Sequence, residues 1–302
     1  MKFSITIPAY KSLFLNEAIR SVISQTYPEW ELIIVDDCSP EPLQQIVKPF
    51  LTDQRVHFYR NVQNCGIVDV VDNWNICLSY CTGDYIICMG DDDRLLPNCL
   101  EEYMKLIKAH PGLNVYHAKA QIIDKEGNVT GHQEDRPEYE TCQEMLYRQW
   151  KGRCVQFLGD FLLSRKWLNN NGGYVKFPLA YTSDWATANL AAKDKGIANA
   201  QVTMFEYRDH QDSISRSQNL KLTVKASCIS KQWYQNTFSG ILPPFFDKCI
   251  IKNKSDLIYL DIKKNPLPEA IYWFCNRKST GLSFLKMQET IIRAIIASLR
   301  RH

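Results

Sequence analysis

The chain has 302 residues, 36 Lys+Arg against 33 Asp+Glu, and a formal net charge of +3. A composition that is 45% hydrophobic and 23% charged excludes disordered and fibrous classes, and so small a net charge gives no support for wholesale nucleic-acid binding. The length suits one sizeable core with an appendage.

Phe3 to Ile7 is a short β-rich run ending at Pro8, and Leu15, Ile19, Val22 and Ile23 then share one helical face. Leu32 to Val35 is wholly apolar, as a strand buried on both faces must be, and stops at the turn formers Asp36-Asp37-Cys38-Ser39-Pro40. Helix over Leu43–Phe50, strand over Val56–Tyr59 and helix over Val68–Tyr80 follow. Tyr85 to Met89 is a further buried strand, broken by Gly90 and three aspartates, with Pro97 placed to open a helix reaching Ala109. Four such strand–helix repeats predict an α/β fold with a mostly parallel, doubly wound sheet. Val115–Ile123 reads as a strand, Asp124–Asn128 as a hairpin-like turn, residues 141–150 and 184–195 as helices and Val202–Tyr207 as a strand. From about Leu220 the chain is helical, with breaks at Pro243-Pro244, Pro266 and Pro268. The division is a strand-and-helix domain over 1–219 and a helical extension over 220–302.

Eleven cysteines form no Cys-x-x-Cys pair; Cys77 and Cys81 have helical spacing, and Cys88 and Cys99 read as small buried hydrophobes. MKFSITIPAY does not read as a secretory leader, and no window reaches the roughly 18 apolar residues of a membrane span. The expected compartment is the cytoplasm.

Ligands of an open parallel sheet bind beyond the carboxyl ends of its strands. Those ends carry Pro8-Ala9-Tyr10, Asp36-Asp37 and Asp91-Asp92-Asp93, and there is neither a G-x-G-x-x-G after the first strand nor a P-loop. Adjacent carboxylates raise one another's pKa unless a cation offsets them, and oxygen ligands suit Mg2+ or Mn2+. Taken alone, the triplet also suits a solvated turn capping the next helix. Two acidic clusters at neighbouring strand ends describe a cleft for a metal and a hydrogen-bond donor.

SITIPAYKS, ELIIVDDCSP and TGDYIICMGDDDRLLP, in that order, resemble the inverting family 2 glycosyltransferases of the GT-A fold, over roughly residues 1–215. The resemblance implies transfer of a sugar from a nucleoside diphosphate donor with Mn2+ or Mg2+ as cofactor. It implies a nucleoside pocket at Pro8, Ala9 and Tyr10, with Asp37 accepting from the base, usually uracil. Within the triplet it implies that one Asp meets ribose or metal and another coordinates the metal. The family's commonest motif is Asp-x-Asp-Asp; aligned on Leu95 to Pro97, Gly90 takes its first place and Asp92 the ligand's. The other register, Asp91-x-Asp93, stays open. On this basis Asp91 is assigned to the donor and Asp92 and Asp93 to the metal; His210, in a segment that resembles the family's loop over the donor, is assigned to the metal or the diphosphate, although a lone histidine also suits a surface or packing place.

Gly172-Gly173-Tyr174 and Ser183-Asp184-Trp185 are similar to the family's Gly-Gly-aromatic and Glu-Asp-aromatic segments, the Asp of the second being its general base; Asp184 inherits that role although Ser183 replaces the usual Glu. Asp184 also suits an ordinary helix cap. Tyr207 to His210 with Ser213 and Ser215 resembles a loop over the donor, and Arg208 and Arg216 are candidate phosphate contacts. Trp150, Trp167, Trp185 and Trp233 suit core packing or sugar stacking. The implied acceptor is a glycan or lipid-linked glycan of cell-surface polysaccharide, capsule or lipopolysaccharide synthesis. A sugar-nucleotide pyrophosphorylase is the alternative, disfavoured because residues 8–18 hold no Gly and only Lys11 as a base; an inactive sugar- or nucleotide-binding relative is another.

Residues 276–302 hold six Lys and Arg against Glu289 alone, a net +5 that leaves −2 on the rest. Apolar residues recur at helical spacing over 282–299, so segment 282–301 suits either a packed terminal helix or one lying on an anionic membrane surface.

Overall fold

β1 (Phe3–Ala9), buried at every position but Pro8, and the fully buried β2 (Trp30–Asp36) pair in parallel from Phe3 against Trp30 to Ala9 against Asp36. The structure is a computed structural model that describes residues 1–152, 155–210 and 219–299. Parallel neighbours need crossovers, supplied by α1 (Leu15–Ile23), α2 (Leu43–Val47) and α3 (Val70–Tyr80), which carry the chain through β3 (Val56–Arg60) to β4 (Tyr85–Cys88). After β5 (Arg94–Leu95), α4 (Cys99–Ala109) begins two residues beyond Pro97.

β6 (Val115–Ile123) turns through Asp124–Asn128 into β7 (Val129–His132), with Gly127 at φ +89°, a left-handed conformation that glycine adopts without strain. β8 (Tyr139–Glu140) and α5 (Cys142–Trp150) follow, the helix capped by Thr141 and Glu144 reciprocally. Then come β9 (Phe161–Ser164), α6 (Arg165–Asn170), α7 (Ser183–Ala192) and β10 (Ile197–Arg208). The sheet order is β3-β2-β1-β4-β9-β6-β10-β5, with β7 beside β6 and β8 beside β10. The expected mostly parallel sheet holds for β3, β2, β1, β4, β6 and β10. The departures are β5, β7, β8 and β9, each antiparallel to its neighbours; β9, unforeseen from the sequence, runs between β4 and β6. Ile5, Ile7, Ile34, Leu100, Tyr103 and Phe205 belong to the core that fixes the strands in place.

The chain divides into two compact units, Met1–Lys176 with Ser183–Ser213, and a second that takes Phe177–Thr182 and the C-terminal helices. These are α8 (Leu220–Phe238), α9 (Phe246–Lys264), α10 (Pro266–Cys275), α11 (Arg277–Thr280) and α12 (Phe284–Leu299). Val224, Ile258, Trp273, Met287 and Ala294 form their own core. Among the described residues no helix is long and apolar enough to cross a membrane. The ten described cysteines are free; Cys88 and Cys99 are buried as expected, and burial pushes the Cys88 thiol up to about 12.

Candidate active site

Register sets the carboxyl ends of three strands level. Ala9 lies opposite Asp36, the Asp37 amide donates to the Ala9 carbonyl at 2.9 Å, and the Met89 amide to the Thr6 carbonyl at 3.0 Å. Strand order reverses between β1 and β4, the place where open α/β sheets form a ligand crevice.

Asp91 ties the two sides together, its Oδ2 accepting the amides of Tyr10 at 2.8 Å and Lys11 at 2.7 Å. Burial, and then the Asp92 charge, push its carboxyl up to about 6 against the pull of those amides. Asp93 is buried, accepts the Arg208 amide at 3.0 Å, and is pushed well up by burial and by Asp92. A Cβ at Gly90 would lie 2.5 Å from Asp92 Oδ1 and 3.0 Å from Asp93 Oδ2. Glycine at position 90 thus gives two carboxylates room to fold back over the backbone.

His210 Nε2 stands 2.9 Å from Asp92 Oδ2, and its ring meets Phe14 edge-on at 5.2 Å. Among the described residues no group of three His, Cys, Asp or Glu side chains is arranged to hold a metal ion. The Asp92–His210 pair offers one carboxylate and one imidazole, a donor set compatible with Mn2+ or Mg2+ if diphosphate and water complete the shell. Asp91 Oδ2 and Asp93 Oδ1 already accept backbone amides.

Arg208 corrects one expectation. Its side chain is 1% exposed, and its donors go to the protein: Nε to the Asp92 carbonyl at 2.9 Å, Nη1 to the Lys125 carbonyl at 2.9 Å, and Nη2 to Glu17 Oε2 at 2.7 Å. The guanidinium also covers the Phe14 ring at 4.1 Å. It fixes the backbone beneath the triplet rather than facing a phosphate. Ser213, Ser215 and Arg216 lie outside the described residues.

On the other side of β1, Pro8 is half-buried, Ala9 is buried and Tyr10 is 41% exposed, which leaves the Tyr10 ring a face for a base. Asp37 is buried, and its Oδ1 accepts Asn61 Nδ2 at 2.8 Å and the Cys65 amide at 3.0 Å. Asn61 in turn donates to Asn73 at 3.0 Å. Asp36 caps the turn through the Ser39 amide at 2.8 Å and pairs with Arg60. Asn61, Asn73 and Glu17 carry no signal in sequence; only the fold brings them under the two acidic clusters.

Asp184 sits in the first turn of α7, where an acidic side chain faces the positive end of the helix. Burial, and then the charge of fully buried Asp160, push its carboxyl up to about 7 despite backbone amides that pull it down. Asp160 Oδ2 accepts Gln133 at 2.6 Å and the Phe157 amide at 3.0 Å. The Trp185 indole donates to the Gln156 carbonyl at 3.2 Å, and Trp233 packs edge-on to Phe177, so both have a packing role. Among the described residues no hydrogen bond joins Asp184 to the triplet.

The acidic cluster stands at the reversal point of a mixed α/β sheet, where open α/β sheets take their ligands. The model of glycosyl transferase family 2 matches residues 4–171, and the chain belongs to that family. It is 41% identical over 118 residues to WcaA of Escherichia coli strain K12, designated a glycosyl transferase of colanic acid biosynthesis, covering 38% of this chain and 39% of that one. It is 25% identical over 233 residues to the Escherichia coli UDP-Glc:alpha-D-GlcNAc-diphosphoundecaprenol beta-1,3-glucosyltransferase WfgD, covering 76% and 83%. The chain matches about two fifths of the length of EpsE of Bacillus subtilis and of WcaA. Its fold matches residues 1–349 of S. aureus TarS, solved with UDP-GlcNAc, with a TM-score of 0.64 at 14% identity over 99% of this chain and 81% of that one.

Proposed function

We propose that the chain is an inverting glycosyltransferase that moves a sugar from a UDP-sugar to a hydroxyl of a glycan or lipid-linked glycan in cell-surface polysaccharide synthesis. The observation that carries this reading is the meeting, at the sheet's reversal point, of Asp91 on the Tyr10 and Lys11 amides with Asp92 beside His210. The names of WfgD, a UDP-glucose-dependent enzyme acting on a diphosphoundecaprenol-linked sugar, and of the TarS complex with UDP-GlcNAc support the same donor class.

In this reading the Tyr10 ring stacks on the base, Asp37 accepts from it, and Asp91 orients the ribose while holding the two strand ends together. Asp92 and His210, with Asp93 behind them, would hold a Mn2+ or Mg2+, which when bound offsets charge on the departing diphosphate. Asp184 takes the proton of the attacking acceptor hydroxyl. A carboxyl held at about 7 is partly ionised at neutral pH and still basic enough for that transfer. One base and one displacement invert the anomeric centre; a retaining double displacement would need a nucleophile on the other face of the sugar.

Incubation with a panel of nucleoside diphosphate sugars and Mn2+, following nucleoside diphosphate release, tests the reading. Release from a UDP-sugar, accelerated by an acceptor glycan, is expected. Silence with every donor and acceptor would overturn it.

A further inference from the structure

The second unit leaves two apolar stripes outside its core. α12 packs Met287, Thr290 and Ala294 inward, against α9 and α10, so it is a packed helix with one free side rather than a spanning one. Its outer side carries Leu285, Ile292, Ile296 and Leu299, with Leu285 76% and Leu299 70% exposed. α10 buries Ala270 and Trp273 and turns Leu267, 72% exposed, and Ile271 outward. The two stripes meet where the Phe274 and Phe284 rings lie 6.0 Å apart, with the Arg277 guanidinium over both at 5.6 and 5.5 Å. The exposed apolar residues of the two helices, joined at that ring pair and interrupted on α12 by Glu289, mark an interaction face.

Charge selects the occupant. Arg277 lies where the stripes meet, and α12 carries Lys286, paired with Glu289, and Arg293, paired with Asp256. Residues 276–302 still sum to +5. A second copy would set the same positive charge against itself, whereas an anionic lipid surface takes apolar side chains below its phosphates and cations among them.

We propose that α10 and α12 together seat this protein on the face of an anionic bilayer, with Leu267, Ile271, Leu285, Ile292, Ile296 and Leu299 entering the interfacial layer. The seat does not depend on the sugar chemistry, so the two are tested apart. The full-length chain is co-sedimented with vesicles of phosphatidylcholine and phosphatidylglycerol, and with phosphatidylcholine alone. The variants are L267S/I271S on α10 and L285S/I292S on α12, all at exposed positions, with circular dichroism to check folding and donor hydrolysis to check the catalytic unit. Expected are binding to the anionic vesicles, about tenfold weaker binding to the neutral ones, and a loss of about tenfold for each double variant with hydrolysis unchanged. Full binding by the α10 variant with loss only in the α12 variant would reject the two-helix surface. Equal binding by all three proteins, no binding by any, or variants that merely turn a dimer into a monomer in size-exclusion chromatography would overturn the membrane seat. None of those results would touch the transferase reading.

Discussion

His210 Nε2 and Asp92 Oδ2 lie 2.9 Å apart although 118 positions separate them in the chain. β10 delivers the histidine and the loop after β4 delivers the carboxylate, and Arg208 welds the two together through the Asp92 carbonyl at 2.9 Å. If this pair holds the metal, H210A should raise the Mn2+ concentration for half-maximal turnover about tenfold or more, a loss of about 1.4 kcal/mol in site affinity. D92N should weaken it further, and EDTA should stop turnover by the wild type. A titration of activity against Mn2+ reads all three; unchanged half-maximal concentrations would remove the pair from the role.

Gly90 gives a sharper version of that test. G90A should leave the sheet intact but push the Asp92 and Asp93 carboxylates off their present positions, because the added Cβ would fall 2.5 Å from Asp92 Oδ1. The expected outcome is a near-native thermal transition with strongly reduced metal-dependent turnover. Native activity in G90A would mean that the carboxylates need not lie over position 90.

Arg208 makes the opposite kind of claim, about stability. Its removal strands the Asp92 and Lys125 carbonyls and leaves Glu17 without this partner. R208M should cost about 3 kcal/mol in urea denaturation, because the Asp92 and Lys125 carbonyls lose a charged donor, and R208K should recover little because an ammonium lacks the planar fork. A variant as stable as wild type but weak in donor binding would restore the phosphate-contact reading.

Asp184 ties activity to pH. With its carboxyl held at about 7, kcat/KM should fall tenfold per pH unit below neutrality, and D184N should lose about 10²–10⁴-fold in transfer while still binding UDP. Stability should move the other way. The folded carboxyl titrates at about 7 against an ordinary 3.8, so the unfolded chain gives up its proton first and this group destabilises the fold progressively as pH rises between those values. D184N should therefore gain stability over wild type at pH 8 but not at pH 3. Parallel melts at the two pH values check it.

The legible and illegible parts of the molecule divide along physical lines. β1, β2 and β4 were readable because strands buried on both faces are unbroken apolar runs, and the acidic clusters were readable because turn formers follow such runs. β9 was not: Phe161–Ser164 is four residues long, runs directly into α6, and is defined by pairing with Tyr85–Ile87 and Val115–His117 far away in the chain. β5, at two residues, has no period to read. Arg208 reads as a candidate phosphate contact because its segment resembles a loop over the donor. Its acceptors come from positions 17, 92, 124 and 125, which only the folded chain assembles. The elevation of Asp184 by burial, with the charge of Asp160 behind it, is hidden for the same reason.

The most direct measurement is UDP release from a UDP-sugar in Mn2+, run side by side for the wild type, D92N and D184N with UDP affinity measured on each. Release by the wild type is expected, with both variants losing it: D92N together with metal-dependent UDP affinity, D184N with that affinity intact. Release by D92N and D184N at the wild-type rate would contradict the assignment of this strand-end cluster as the site of sugar transfer.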